Sequence, residues 1–188
     1  MRALLVVDFT NEMVDPGGKM AADGYAQFAT EQGTLDRLNT AIRAFRDSWN
    51  PVVFTCLAFD PSYCDMPVGS PVLGRARRLG ILAKGTWSAG ISSAVNYIQG
   101  HDAVIVRDRL DAFRDTGLAQ HFRRGGVTDV YIAGVATLAV IAAALSAHDN
   151  DFAVTIIADA CVAASHEDQE RALTLLSKVA RLTTAAEL

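Results

Sequence analysis

Five stretches of the chain are apolar almost without interruption: ALLVVD (3–8), PVVFTC (51–56), AVIVRD (103–108), VYIAGV (130–135) and FAVTIIAD (152–159). Strict alternation of apolar and polar residues marks a sheet with one wet face, whereas continuous runs mark strands covered on both faces, and so a parallel sheet. Between the runs the period changes to that of a helix. TLDRLNTAIRAFRDSW (34–49) sets Leu35, Leu38, Ile42 and Phe45 on one stripe. GLAQHFRRGG (117–126) stops at a glycine pair, TLAVIAAALSAHD follows the fourth run directly, and SHEDQERALTLLSKVA (165–180) opens on a Ser N-cap with acids in its first turn. RLTT (181–184) suggests a last short strand.

Strand and helix therefore alternate. The pattern predicts an α/β fold of three layers, α-β-α, around a mostly parallel, Rossmann-like, doubly wound sheet. The segment at about 57–90 breaks the alternation with prolines, glycines and a basic patch at Arg75, Arg77 and Arg78. An irregular connection of that length usually carries function, as a lid or a subunit contact.

Composition narrows the function. At 188 residues and 51% apolar, the chain is expected to form a single domain over residues 1–188. A formal charge of −4 with only local basic clusters gives no stripe to follow a phosphate backbone, so nucleic acid is not an expected partner. MRALLVVDFTNEM is too short in its apolar run for a secretion signal, and no window reaches the length of a membrane span; a cytoplasmic location is the default expectation. Cys56, Cys64 and Cys161 are an odd, widely spaced set without a CxxC, and His101, His121, His148 and His166 read as surface residues. Neither a metal nor another cofactor is expected.

In a doubly wound sheet ligands bind beyond the carboxyl ends of the strands. That rule nominates Asp8, Arg107 or Asp108, the turn from Gly134 to Thr137, and Asp159. Asp8 follows an apolar run directly, which fits either a partly desolvated reactive carboxylate or a simple turn residue.

These residues also carry a resemblance. ALLVVDFTNEMVDPGGKM, with Asp8, Asn11, Pro16, Gly17 and Gly18, resembles the opening of the isochorismatase-like, or cysteine hydrolase, superfamily. AVIVRDRLDAFRDTGL is similar to its third-strand segment through Ala112, Phe113, Thr116 and Leu118; GVAT (134–137) to the turn before its nucleophile; and DAC with Ser165, then LTTAAEL, to its last strands. SPVLGRARRLGILAKGTW (70–87) is closest to the N-carbamoylsarcosine amidase-like branch. The resemblance spans essentially the whole chain and implies the isochorismatase-like hydrolase fold.

It also implies a working set of Asp, Lys and Cys, of which one member remains. Asp8 matches the acid/base, Arg107 stands at the lysine position, and the nucleophile position falls on Ala139 or Val140 according to the side from which it is counted. Zinc-binding branches carry Asp-x-His and a further His, for which LAFDPSYCD (57–65) has no match. By resemblance the pocket walls come from Phe9, Thr10, Trp87, Phe113, Ala136, Thr137 and Ala139, and the turn offers backbone N–H donors to an anion or a carbonyl.

Covalent amide hydrolysis requires an activated nucleophile, so amidase chemistry is disfavoured. Isochorismatases of the superfamily lack the cysteine and use the Asp as a general acid on a vinyl ether. An arginine beside Asp8 favours the carboxylate form instead, which suits a general base in a lyase, isomerase or cyclase and can also hold a carboxylate or enolate ligand. The expectation is Asp8-centred acid/base chemistry, with Arg107, on a small metabolite that bears a carboxylate or enol. A catalytically inactive binding module is the alternative. The small-residue run AVIAAALSA and the resemblance point to a homodimer or homotetramer.

Overall fold

The computed structural model describes residues 1–135 and 138–188 in full and Thr137 by its backbone; the expected roles of Ala136 and of the Thr137 side chain fall outside the described residues. Among these residues six strands, β1 (Arg2–Val7), β2 (Val52–Leu57), β3 (Ala103–Arg107), β4 (Asp129–Gly134), β5 (Ala153–Ile157) and β6 (Arg181–Thr183), form one parallel sheet in the order β3-β2-β1-β4-β5-β6. The order reverses between β1 and β4, and the ligand crevice of such a sheet opens at that switch point.

β1 shows why the central runs read as continuously apolar. Ala3, Leu5 and Val7 enter the core on one face, while Leu4 and Val6 enter the core on the other, all essentially without solvent contact. Each large aliphatic side chain buried in this way contributes about 1.5–3 kcal/mol. On the Leu5 face lie α5 (Leu118–Arg124), α6 (Thr137–Asp149) and α7 (His166–Leu176); on the Leu4 face lie α1 (Asn11–Val14), α2 (Tyr25–Glu31) and α3 (Thr34–Asp47). The sheet is thus flanked by helices on both faces, as the pattern predicts. Leu38, Ile42 and Phe45 of α3 are buried, and the Ser165 hydroxyl caps α7 by accepting from the Asp168 N–H at 3.2 Å. No helix among the described residues is long and apolar enough to cross a membrane.

β3 departs from the expectation that every apolar run is covered on both sides. It lies at the sheet edge, and Val104 and Val106 are exposed. The 57–90 segment is also more ordered than its composition suggests. It holds α4 (Gly74–Leu79), whose Ala76 packs with Phe59, Leu73, Ile81 and Leu82 into a small apolar cluster of its own. Lys19 Nζ donates to the Leu79 carbonyl at 2.7 Å and Arg75 pairs with Asp23, which fastens this cluster to the chain that follows α1.

Candidate functional site

At the switch point, the chain leaving β1 makes an abrupt turn. Asp8 has φ 58, the left-handed region that Asp tolerates better than most residues. Its N–H donates to the Thr55 carbonyl at 2.9 Å and its carbonyl accepts from the Thr10 N–H at 2.7 Å. The turn aims the carboxylate across the strand ends: Oδ1 accepts from the Leu57 N–H at 2.8 Å and Oδ2 from Arg107 Nη2 at 2.6 Å. Both side chains of this ion pair are buried. Arg107 Nη1 donates to the Arg109 carbonyl at 2.5 Å, and its Nε is buried without a partner.

Asp8 lines a cavity of about 70 Å³ together with Thr10, Met13 and Met20 from the chain after β1, Leu57 at the end of β2, Val72, Leu73, Arg75, Ala76, Ile81 and Leu82 in and around α4, Leu110, and Ala139 in the first turn of α6. The Thr10 hydroxyl is buried and has no hydrogen-bond partner. An unpaired hydroxyl of this kind loses its hydration without compensation unless a ligand or water completes it.

Of the residues nominated in the sequence, Asp8, Thr10 and Ala139 come together at the cavity, with Arg107 hydrogen-bonded to Asp8. The ambiguity between Ala139 and Val140 has a geometric answer: Ala139 lines the cavity, whereas Val140 turns away to pack on Gly134 and Cys161. Gly134 makes this packing possible, because a Cβ there would stand 2.3 Å from Val140 Cγ2 and 2.9 Å from Val7 Cβ.

Phe9, Trp87 and Phe113 do not line the cavity. Phe9 is buried in the core on the α3 face, and Phe113 packs against Phe122 and Phe152 beneath α5 and α6. Trp87 is half-exposed, and its carbonyl accepts from Asn11 Nδ2 at 2.9 Å, which pins the loop rather than a ligand. Arg107 is not among the residues that line this cavity; it meets Asp8 through Nη2 and lines a separate polar depression with Lys84, Asp108, Arg109 and Arg114. Asp108 pairs with Arg109, and Asp159 pairs with Arg37 while accepting from the Ala185 N–H.

None of the three cysteines lines the cavity. Burial pushes the Cys56 thiol up to about 12, with the Asp8 charge adding to the rise and Arg107 opposing it. Burial likewise pushes Cys161 up to about 12. A thiol so shifted is a poor nucleophile at neutral pH. Cys64 is exposed and is not part of the cavity wall. The apolar wall residues were not anticipated individually; the one signal for them was the unusual length of the 57–90 connection.

The parallel six-stranded sheet, its switch-point cavity and the strand-end carboxylate define an α/β protein of the hydrolase-like, doubly wound class. Residues 2–187 match the isochorismatase domain, and the chain belongs to the isochorismatase family. It is 29% identical over 183 residues, 90% of this chain and 70% of the relative, to the ureidoacrylate amidohydrolase RutB of Methylobacterium radiotolerans. The fold is shared with an isochorismatase family protein from Desulfovibrio vulgaris (TM-score 0.85, 21% identity, 98% of this chain and 94% of the other). It is shared also with the N-carbamoylsarcosine amidase of Thermoplasma acidophilum (TM-score 0.76, 22% identity, 100% of this chain and 98% of the other).

Proposed function

We propose that this isochorismatase-family protein is an enzyme in which Asp8 performs general acid/base chemistry on a small ligand in the switch-point cavity, with no covalent intermediate. The observation that carries the proposal is the pairing of opposites in one wall: a buried carboxylate at the end of β1 and a methyl group, Ala139, where the family resemblance puts a thiol. Each Asp8 oxygen accepts one N–H, and a carboxylate has about four acceptor sites, so lone pairs remain for a ligand proton. Because both hydrogen bonds are donated to it, Asp8 starts as an acceptor. Proton abstraction is then the first step, and the proton can be returned at another carbon or to a leaving oxygen. Arg107 acts as a positioning residue that holds the carboxylate and balances its charge. A positioned acid/base of this kind is worth roughly 10² to 10⁴ in rate.

The test is a panel of enolisable carbonyl compounds followed by α-proton exchange in D₂O, with small vinyl ethers and ureidoacrylate followed by hydrolysis. The expected result is turnover of at least one enolisable compound, lost in Asp8→Asn and kept in Cys64→Ala, with no hydrolysis of ureidoacrylate. Ureidoacrylate hydrolysis by the wild type would overturn the non-covalent assignment.

A second reading, a binding module without catalysis, is favoured by one fact: both Asp8 oxygens are already engaged in holding Leu57 and Arg107. Saturable ligand binding with no conversion across the panel would select it. Homo-oligomerisation, as a dimer or tetramer, belongs to the same proposal and is supported by Leu138 and Leu145, which stand exposed on a helix that is apolar nearly all round. A monomeric mass by light scattering at micromolar concentration would sink it.

A further inference from the structure

Arg107 holds the Asp8 carboxylate, and a second set of contacts holds Arg107. Among the described residues, two of its five N–H groups have protein partners: Nη2 donates to Asp8 Oδ2 at 2.6 Å and Nη1 to the Arg109 carbonyl at 2.5 Å. The two bonds fall on different terminal nitrogens, so together they fix the plane of the guanidinium, whereas either one alone would let it pivot about its last side-chain torsions. The second anchor is itself held by the residue that carries it. Arg109 Nη1 donates to the Asp65 carbonyl at 2.8 Å and to the Asp108 carbonyl at 2.9 Å, and lies 3.2 Å from Asp108 Oδ1. Asp65 is fixed in turn: both of its carboxylate oxygens accept from the Asp60 N–H at 2.9 Å, and Oδ2 also accepts from Lys84 Nζ at 2.9 Å. None of Asp60, Asp65, Lys84 and Arg109 lines the cavity, so any effect they have on a ligand there passes through Arg107 and Asp8.

We infer that Arg109 is a positioning residue for Asp8. By tying the end of β3 to the loop after β2 it holds its own carbonyl against Arg107, and through Arg107 it sets the direction of the carboxylate. This rests on Asp8 being the reactive group, as proposed above, and adds to that site a control that lies outside the cavity. Position has to be separated from charge, because any arginine nearby adds a positive field. Arg114 supplies the comparison: it lines the same polar depression as Arg107 and Arg109, and its one charged partner among the described residues is the exposed Asp115, 3.3 Å from Nε. An exposed pair of this kind holds nothing in place. Arg114 thus carries the charge of Arg109 without joining the contacts that lead to Asp8. The carboxylate also has a reporter of its own, since Oδ1 accepts from the Leu57 N–H at 2.8 Å, and a hydrogen bond weakens steeply as its geometry departs from the optimum.

Two signals of ¹⁵N-labelled protein read the arrangement without any substrate: the Arg107 Nε–H and the Leu57 backbone N–H. Arg109→Met, which keeps the aliphatic stem and removes the donors, is expected to displace both, and to displace the Arg107 signal more than that of any other arginine Nε–H. Arg114→Met, which removes an equal charge, is expected to leave both in place. A merely structural role for Arg109 would lower the urea midpoint without singling out these two signals. Asp65→Ala keeps both arginines and frees the loop that carries the Asp65 carbonyl; it is expected to move the same signals, and it is read in place of Arg109→Met if that variant does not fold. Unmoved signals in the variant that is read overturn the inference, as does an equal displacement in Arg114→Met. If the signals move as expected and the panel above yields no conversion, the acid/base proposal fails while the positioning of Asp8 by Arg109 stands. Turnover that is lost in Asp8→Asn, together with unmoved signals, gives the reverse.

Discussion

β1 and β4 lie side by side at the centre of the sheet, yet their ends do different work. β1 ends in a left-handed turn that lifts Asp8 into a buried ion pair with Arg107. β4 ends in Gly134, pressed so closely between Val7 and Val140 that no Cβ fits, and among the described residues the helix it feeds lines the cavity with Ala139. One strand end supplies charge; its neighbour supplies shape. Equivalent positions in a doubly wound sheet therefore need not share the same chemistry.

The contrast can be broken most forcefully at the ion pair. Asp8→Ala or Arg107→Ala leaves a buried charge without its partner and should cost about 3–5 kcal/mol in urea unfolding, with turnover lost in both. The double change Asp8→Leu with Arg107→Met should recover most of that stability but none of the activity, since apolar replacements of a buried pair are often neutral.

At the other strand end, Gly134→Ala should destabilise by about 1–3 kcal/mol through overpacking, and Val140→Ala in the same chain should relieve part of it. A smaller effect distinguishes the two faces of α6. Ala139→Cys, changing stability by less than about 1.5 kcal/mol, should be modified in the folded protein by a small methanethiosulfonate reagent, whereas Val140→Cys should stay protected. Modification of both at equal rates would show that the Ala139 and Val140 faces are not separated as described. The slightest perturbation is a thiol count on the wild type at pH 8: Cys64 should react, and Cys56 and Cys161 should react only on unfolding, because burial that raises them to about 12 leaves about 10⁻⁴ of each as thiolate.

Much of the fold was legible in the pattern. Strands fall within a residue or two of the apolar runs, α3 buries Leu38, Ile42 and Phe45 from its predicted stripe, and α7 starts at Ser165. α1, α2 and α4 were not foreseen; each is short, and helices of that length owe their existence to packing more than to propensity. For the same reason the exposure of Val104 and Val106 was hidden, because an apolar run looks alike at the centre and at the edge of a sheet.

Asp8 and Arg107 were legible because strand ends mark the crevice; the wall was not, because Leu73, Ile81 and Leu82 reach it only when α4 is fastened to the chain following α1 by Lys19 and by the Arg75–Asp23 pair. Phe9 and Phe113 went to the core, where a large aromatic surface is removed from water more completely than at a cavity rim. The sequence by itself determined the alternating α/β plan, the acid at the end of β1 and the lack of a cysteine in the turn after β4, since these depend on local periodicity and residue type. Only the tertiary structure decided that Ala139 rather than Val140 lines the cavity, that Arg107 is paired with Asp8, and that the Thr10 hydroxyl is left unpaired, since these depend on contacts between segments far apart in the chain.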